Sequence, residues 1–168
     1  MKTFKKFLRE YLDKRAPLQW KKLGANKARA HFNDGEDGYN VDFRFSEDKD
    51  NPVDIDIWDM SFESDEPGGA GMAKTNKFHQ SVVLGSVIGA LEEFLKMGSY
   101  NGIKIGAISI IAEVKSGNYK AFQVIINKIE PKIKSLGYTV YDTGTQWYRG
   151  AGQILIIRSD LELPSKFS

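Results

Sequence analysis

Apolar and polar positions change rhythm several times along this chain, and each change marks an element. Phe4, Phe7, Leu8, Tyr11 and Leu12 fall on one stripe of a helix predicted over residues 1–15, with Lys2, Lys5, Lys6, Arg9 and Lys14 elsewhere and Pro17 ending it. Residues 28–32 and 39–45 alternate as strands around 33–38, a loop of Gly, Asp and Asn that predicts a hairpin. A third strand over 53–62 completes an antiparallel meander. Its apolar residues are odd up to Val53, Ile55 and Ile57, then even at Trp58, Met60 and Phe62, with Asp59, Ser61 and Glu63 between. A period-2 strand keeps one face buried through such a switch only if a residue is inserted, so a β-bulge is expected at Ile57-Trp58.

The loop Glu66-Pro67-Gly68-Gly69-Ala70-Gly71 leads into a helix over 78–97, whose stripe is Phe78, Val82, Leu84, Val87, Ile88, Leu91, Phe94 and Leu95. Residues 98–102 break the pattern. The dense apolar run over 103–114 predicts a strand covered on both faces. A second helix over 118–136 turns Phe122, Ile125, Ile126, Ile129, Ile133 and Leu136 inward, with a kink at Pro131 and a stop at Gly137. Residues 139–142, 146–148 and 153–158 are closing strands, and a tail follows.

At 168 residues and 41% hydrophobic content, the chain can bury a core without covalent staples. The reading divides it into a basic N-terminal helix and linker (1–22), one mixed domain (23–160) and a tail (161–168). There is no cysteine, so disulfides and thiolate metal sites are excluded, and no metal site is argued. No run approaches the roughly 18 apolar residues of a membrane span, and no secretory segment opens the chain, so a soluble protein that is not secreted is expected. The charge is uneven. Residues 1–22 hold eight Lys/Arg against two acids, and residues 34–66 hold thirteen acids against two basic residues. Such an acidic stretch attracts an amine or a basic protein segment and repels nucleic acid.

A strand, a glycine loop and a helix N-terminus in succession form a phosphate-cradling order. Over residues 28–158 the sequence of elements resembles the GNAT acyltransferase fold, as do the bulged strand and the run from Asn118 and Ala121 to Gly137-Tyr138, similar to that family's Asn-x-x-Ala helix ending in Gly-Phe. The resemblance implies an α/β (α+β) fold, a mixed, mostly antiparallel sheet with helices packed on both faces. It implies acetyl-CoA lying between two strands splayed at the bulge, held by backbone at Met60, Gly69, Gly71 and Met72 and near Asn118. For acyl transfer to an amine, Asp59 or Glu63 would be the base, the Met60 amide would bind the carbonyl, and Tyr138 or Tyr141 would be the acid.

The chain also departs from the family. Glu66 stands where the family opens its loop with Gln or Arg. In a second register, Thr75 to His79 and Val83 to Val87 resemble a Thr-Gly-x-Gly-Asn segment and the Val-Phe-x-Thr-Val that follows it in phage-encoded GNAT-like proteins, but with Asn76 and Phe78 in place of both glycines. Phe122 and Ile125 occupy the plausible positions of the family's tyrosine acid. Met1-Lys2-Thr3-Phe4 followed by Phe7-Leu8-Arg9-Glu10 resembles the head-targeting segments of tailed-phage internal proteins, which are cut after a hydrophobic-x-Glu triplet.

These features imply a phage-derived GNAT-like protein with a degenerate cofactor site, found in host cytoplasm or virion. It would bind a virion or host protein through the N-terminal stripe or Trp147-Tyr148. The alternative is an acetyl-CoA-dependent N-acyltransferase acting on an amine or basic protein.

Overall fold

The computed structural model describes residues 15–46, 56–65, 77–115 and 117–161. The N-terminal helix up to residue 14, residues 53–55 and the glycine loop with Gly69, Gly71 and Met72 lie outside these. The described elements are β1 (Gln19–Lys22), β2 (Lys27–Asn33), β3 (Gly38–Ser46), β4 (Ile57–Ser64), α1 (Lys77–Met97), β5 (Ser99–Tyr100), β6 (Ile103–Lys104), β7 (Ala107–Glu113), α2 (Asn118–Ser135), β8 (Tyr138–Tyr148) and β9 (Ala151–Arg158). Seven strands form one mixed, mostly antiparallel sheet in the order β1-β2-β3-β4-β7-β9-β8, and β5 pairs with β6. Among the described residues only β4 and β7 pair in parallel.

Directly paired residues share a face, so the registers trace rows across the sheet. Ala28, Phe43, Met60, Ile110, Ile154 and Asp142 form one row, with apolar residues on five of its six strands. Against that face pack Val87, Leu91 and Phe94 of α1 and Phe122, Ile126 and Ile133 of α2, all in one buried cluster. Phe94 is the hub: its ring stacks on Phe43 at 4.1 Å and meets the edge of Trp58 at 5.2 Å.

Both described helices lie on this one face, whereas the sequence reading expected helices on both. The registers give the reason. β9 runs antiparallel to β7 and to β8, so β7 and β8 point the same way. The crossovers β4-α1-β7 and β7-α2-β8 therefore both join parallel strands and step in the same direction across the sheet. Crossovers of the same, right-handed sense then place both helices on one side. α1 is buried on every side between Val83 and Glu92. Residues 15–18 cover part of its outer surface, where Ala16 N–H donates to Ser86 Oγ at 2.8 Å and Arg15 reaches Glu92 at 2.9 Å.

The meander, the hairpin around 33–38 and the stop at Gly137, which sits at φ 91°, are as the pattern predicts. The bulge is not. β4 pairs without a register shift with β3 from Ile57 to Ser64 and with β7 from Ile57 to Met60. The phase switch has another cause: Ile57 is buried on the opposite face with Ala107, Leu155 and Ile157. Register shifts occur instead in β8, on either side of Gly144, where two short strands were expected and one long one forms. The strand over 103–114 is broken at Ile105 and Gly106, while α2 continues past Pro131. β1, unforeseen in the sequence, pairs along its length with β2. No helix among the described residues is long and apolar enough to cross a membrane.

Candidate functional site

The sheet opens in its middle. β4 stays on β3 as far as Ser64 and β7 stays on β9 as far as Glu113, but their own ladder ends at the pair Met60 and Ile110. Beyond it, residues 61–64 and 111–113 form two strand edges with no pairing between them among the described residues. Interior strands normally satisfy each other's backbone N–H and C=O groups, so a seam of this kind offers donors and acceptors to an extended ligand. The seam lies at the carboxyl ends of the two parallel strands, where α/β sheets place their ligands. The first turn of α2 follows β7 at this same end. One lip carries Ser61 and Glu63; the other carries Ile111, 41% exposed, with Val114, 49% exposed, just beyond.

The expected site residues do not converge here. Met60 is the last residue of β4 paired with β7, at the apex of the seam, with its side chain in the helical-face core. Asp59 and Glu63 both lie on the opposite face and are exposed, but four residues of strand separate them by about 13 Å. Tyr141 shares a cross-strand row with Asp59, Ser109 and Leu155, three strand spacings or about 14 Å from Asp59. Tyr138 is on the helical face, where its hydroxyl donates to the Ile105 carbonyl at 2.8 Å and burial pushes its pKa up. Asn118 opens α2, preceded by Gly117 at φ 81°.

Two polar groupings escaped the sequence reading. On the helical face, Tyr119 donates its hydroxyl to Asp142, which also accepts from Gln123 Nε2 at 2.6 Å and Gly144 N–H at 3.0 Å. Burial first, then the neighbouring carboxylate, pushes the Tyr119 pKa to about 12. Desolvation raises the Asp142 carboxyl, but the hydrogen bonds from Gln123, Tyr119 and Gly144 outweigh it and hold the group below its ordinary value. The Tyr119 ring lies over Gly152, where an added Cβ would sit 1.1 Å from Cε2, so only glycine leaves room.

On the opposite face, Arg29 grips Asp42 with Nε at 2.7 Å and Nη2 at 2.9 Å, Lys27 lies 3.5 Å from the same carboxylate, and Glu63 is 3.9 Å from Arg29. His31 Nδ1 meets Asn40 Oδ1 at 2.9 Å, and Asn40 Nδ2 donates to Asp65 Oδ1 at 2.6 Å. The acidic segment is thus partly neutralised by β2. Alternation places Arg29 and His31 on one face of a strand, but their partners depend on a register that periodicity alone leaves open.

Among the described residues no group of three or more His, Asp or Glu is placed to hold a metal ion. Compared with known proteins, the chain matches no family model, no curated protein and no solved structure.

Proposed function

We propose that the chain is a GNAT-like protein that works by binding a protein partner rather than by acyl transfer. The observation that carries this reading is the dispersal of the four titratable candidates. Acyl transfer to an amine needs a base and an acid within hydrogen-bond reach of one reacting centre. Asp59, Glu63 and Tyr141 are separated by more than 10 Å along or across the sheet, and Tyr138 is committed to a backbone carbonyl in the core. The sequence adds support. A carboxylate at Glu66 would oppose a pyrophosphate, and each backbone N–H that Asn76 or Phe78 keeps from reaching a phosphate costs about 1–3 kcal/mol. In this reading the protein is phage-derived, and its basic N-terminal segment directs it to the virion or to a host protein.

A second reading, the acetyl-CoA-dependent N-acyltransferase, is favoured by one feature: the parallel pair parts immediately after Met60, the position at which the resemblance puts the acyl carbonyl. Gly69, Gly71 and Met72 would then supply the phosphate-binding amides and Asn118 a neighbouring contact. Titration calorimetry with acetyl-CoA separates the readings. Binding without catalysis predicts no heat and no thermal shift at millimolar cofactor, whereas micromolar binding accompanied by acetylation of a lysine peptide returns the protein to the enzymes. Mass spectrometry of purified virions tests the location, by finding the chain packaged or absent.

A further inference from the structure

The two signs of charge gather on different elements of this fold. α2 turns Phe122, Ile126 and Ile133 into the core and leaves Lys120, Lys128, Lys132 and Lys134 exposed on its outer surface. Glu130 is the one acid between Asn118 and Ser135, and it lies 3.8 Å from Lys134. Four lysines against one glutamate leave three positive charges, spread over about 21 Å of helix axis. Lys120, Lys128 and Lys132 form no ion pair among the described residues. The strands α2 packs against, β7 to β9, and their turns add Lys115, Arg149 and Arg158 against Glu113, Asp142 and Asp160, which leaves that balance unchanged.

The complement lies on the same chain. The tip of the β2-β3 hairpin, residues 33–40, holds Asp34, Glu36 and Asp37 and no Lys or Arg. Behind it, the reverse face of the β1 to β4 ribbon carries four carboxylates (Asp42, Asp59, Glu63 and Asp65) and four cations (Lys21, Lys27, Arg29 and Arg44), and so offsets none of the tip's charge. The hairpin stands across the seam from the strands under α2, and no lysine of α2 pairs with it within one chain. The outer surface of α2 has no exposed aromatic side chain to stack on bases and no large apolar one to enter a membrane. A long polyanion lying across the molecule would also meet the hairpin acids, whereas a second copy can bring its acidic tip alone to the lysines. We propose that copies of this chain associate head to tail, the hairpin tip of one lying on the Lys120, Lys128 and Lys132 face of α2 in the next. Such a contact is heterologous, so it extends as a row of copies or closes as a ring. The inference stands on the placement of charge and on neither reading of the seam.

Sedimentation of the full-length chain should show an average mass that rises with concentration at about 20 mM salt and falls to that of one chain at about 0.5 M, where charges are screened within a few ångströms. Two charge-reversed variants test the pairing: Lys128→Glu with Lys132→Glu, and Glu36→Lys with Asp37→Lys. Each by itself should lose at least tenfold in association at low salt, with circular dichroism verifying the fold. An equimolar mixture of the two should associate again, because each supplies the sign of charge that the other has lost. A parent that stays a single chain at every concentration, a variant that associates as the parent does, or a mixture that stays apart overturns the proposal. Binding of duplex DNA by the parent but not by the lysine variant, without self-association, overturns it in favour of a nucleic-acid surface.

Discussion

On the helical face the row Phe43, Met60, Ile110 and Ile154 is apolar on four adjacent strands; one residue along each strand, on the reverse, stand Arg44, Asp59, Ser109 and Leu155. The first row is held by burial, which is non-directional and scales with area. The polar part of the reverse face is held by the charges paired around Asp42 and by hydrogen bonds such as that from Gln153 to Ser109, which are directional and partly repay their own desolvation. The helical face should therefore dominate stability. The reverse face should contribute less.

The largest test of that contrast is Phe94→Ala. Removing the ring that joins Phe43 and Trp58 should cost about 3–5 kcal/mol in urea unfolding, and a loss below about 1 kcal/mol would mean the cluster collapses around the gap. On the reverse face, Asp42→Ala strips Arg29 and Lys27 of their shared partner and should cost about 1–3 kcal/mol. Glu63→Ala, at an exposed position, should stay within about 0.5 kcal/mol. Equal costs for the two acids would show that the network around Asp42 is not the unit it looks to be.

A further effect is a matter of pH. The Tyr119 pKa is raised to about 12 in the folded chain, so its stabilising share is complete below the ordinary tyrosine value and is lost as pH rises towards about 12. Unfolding free energies of the parent and Tyr119→Phe should converge across that window. Parallel pH profiles would show that the hydroxyl is not coupled to folding.

The helical face was largely legible in the sequence because burial leaves a period. Both long helices, the β2-β3 hairpin and the end of α2 at Gly137 follow from spacing alone. The phase switch at Ile57-Trp58 misled, because an extra residue in a strand and a strand end buried on both faces leave the same trace. The β5-β6 hairpin had its signal in Asn101-Gly102, both at positive φ, yet two-residue strands are too short to show alternation. β1 is four residues long and mostly exposed. The seam was expected beside Met60, but on the strength of a bulge that is absent. The groupings at Tyr119–Asp142 and His31–Asn40–Asp65 could not be foreseen, since the first joins a helix to a strand and the second two strands and a turn, whose mutual placement only the folded sheet defines.

The short parallel ladder has a mechanical consequence. β1 to β4 are tied to one another by successive antiparallel ladders, and β9 is tied to β7 and β8; among the described residues four pairs, from Ile57 with Ala107 to Met60 with Ile110, are all that stitch these two ribbons along their edges. Those pairs join residues far apart in the chain, as do the seven that join β7 to β9, but here only four offset the closure entropy, which exceeds that of any hairpin in the sheet. The ladder should form last in refolding and open first under strain, with α1 left as the hinge-pin between two separately cooperative units. Amide exchange at Trp58 and Ile108 would then record that joint working, faster than at Val41 or Leu155 in the body of either ribbon.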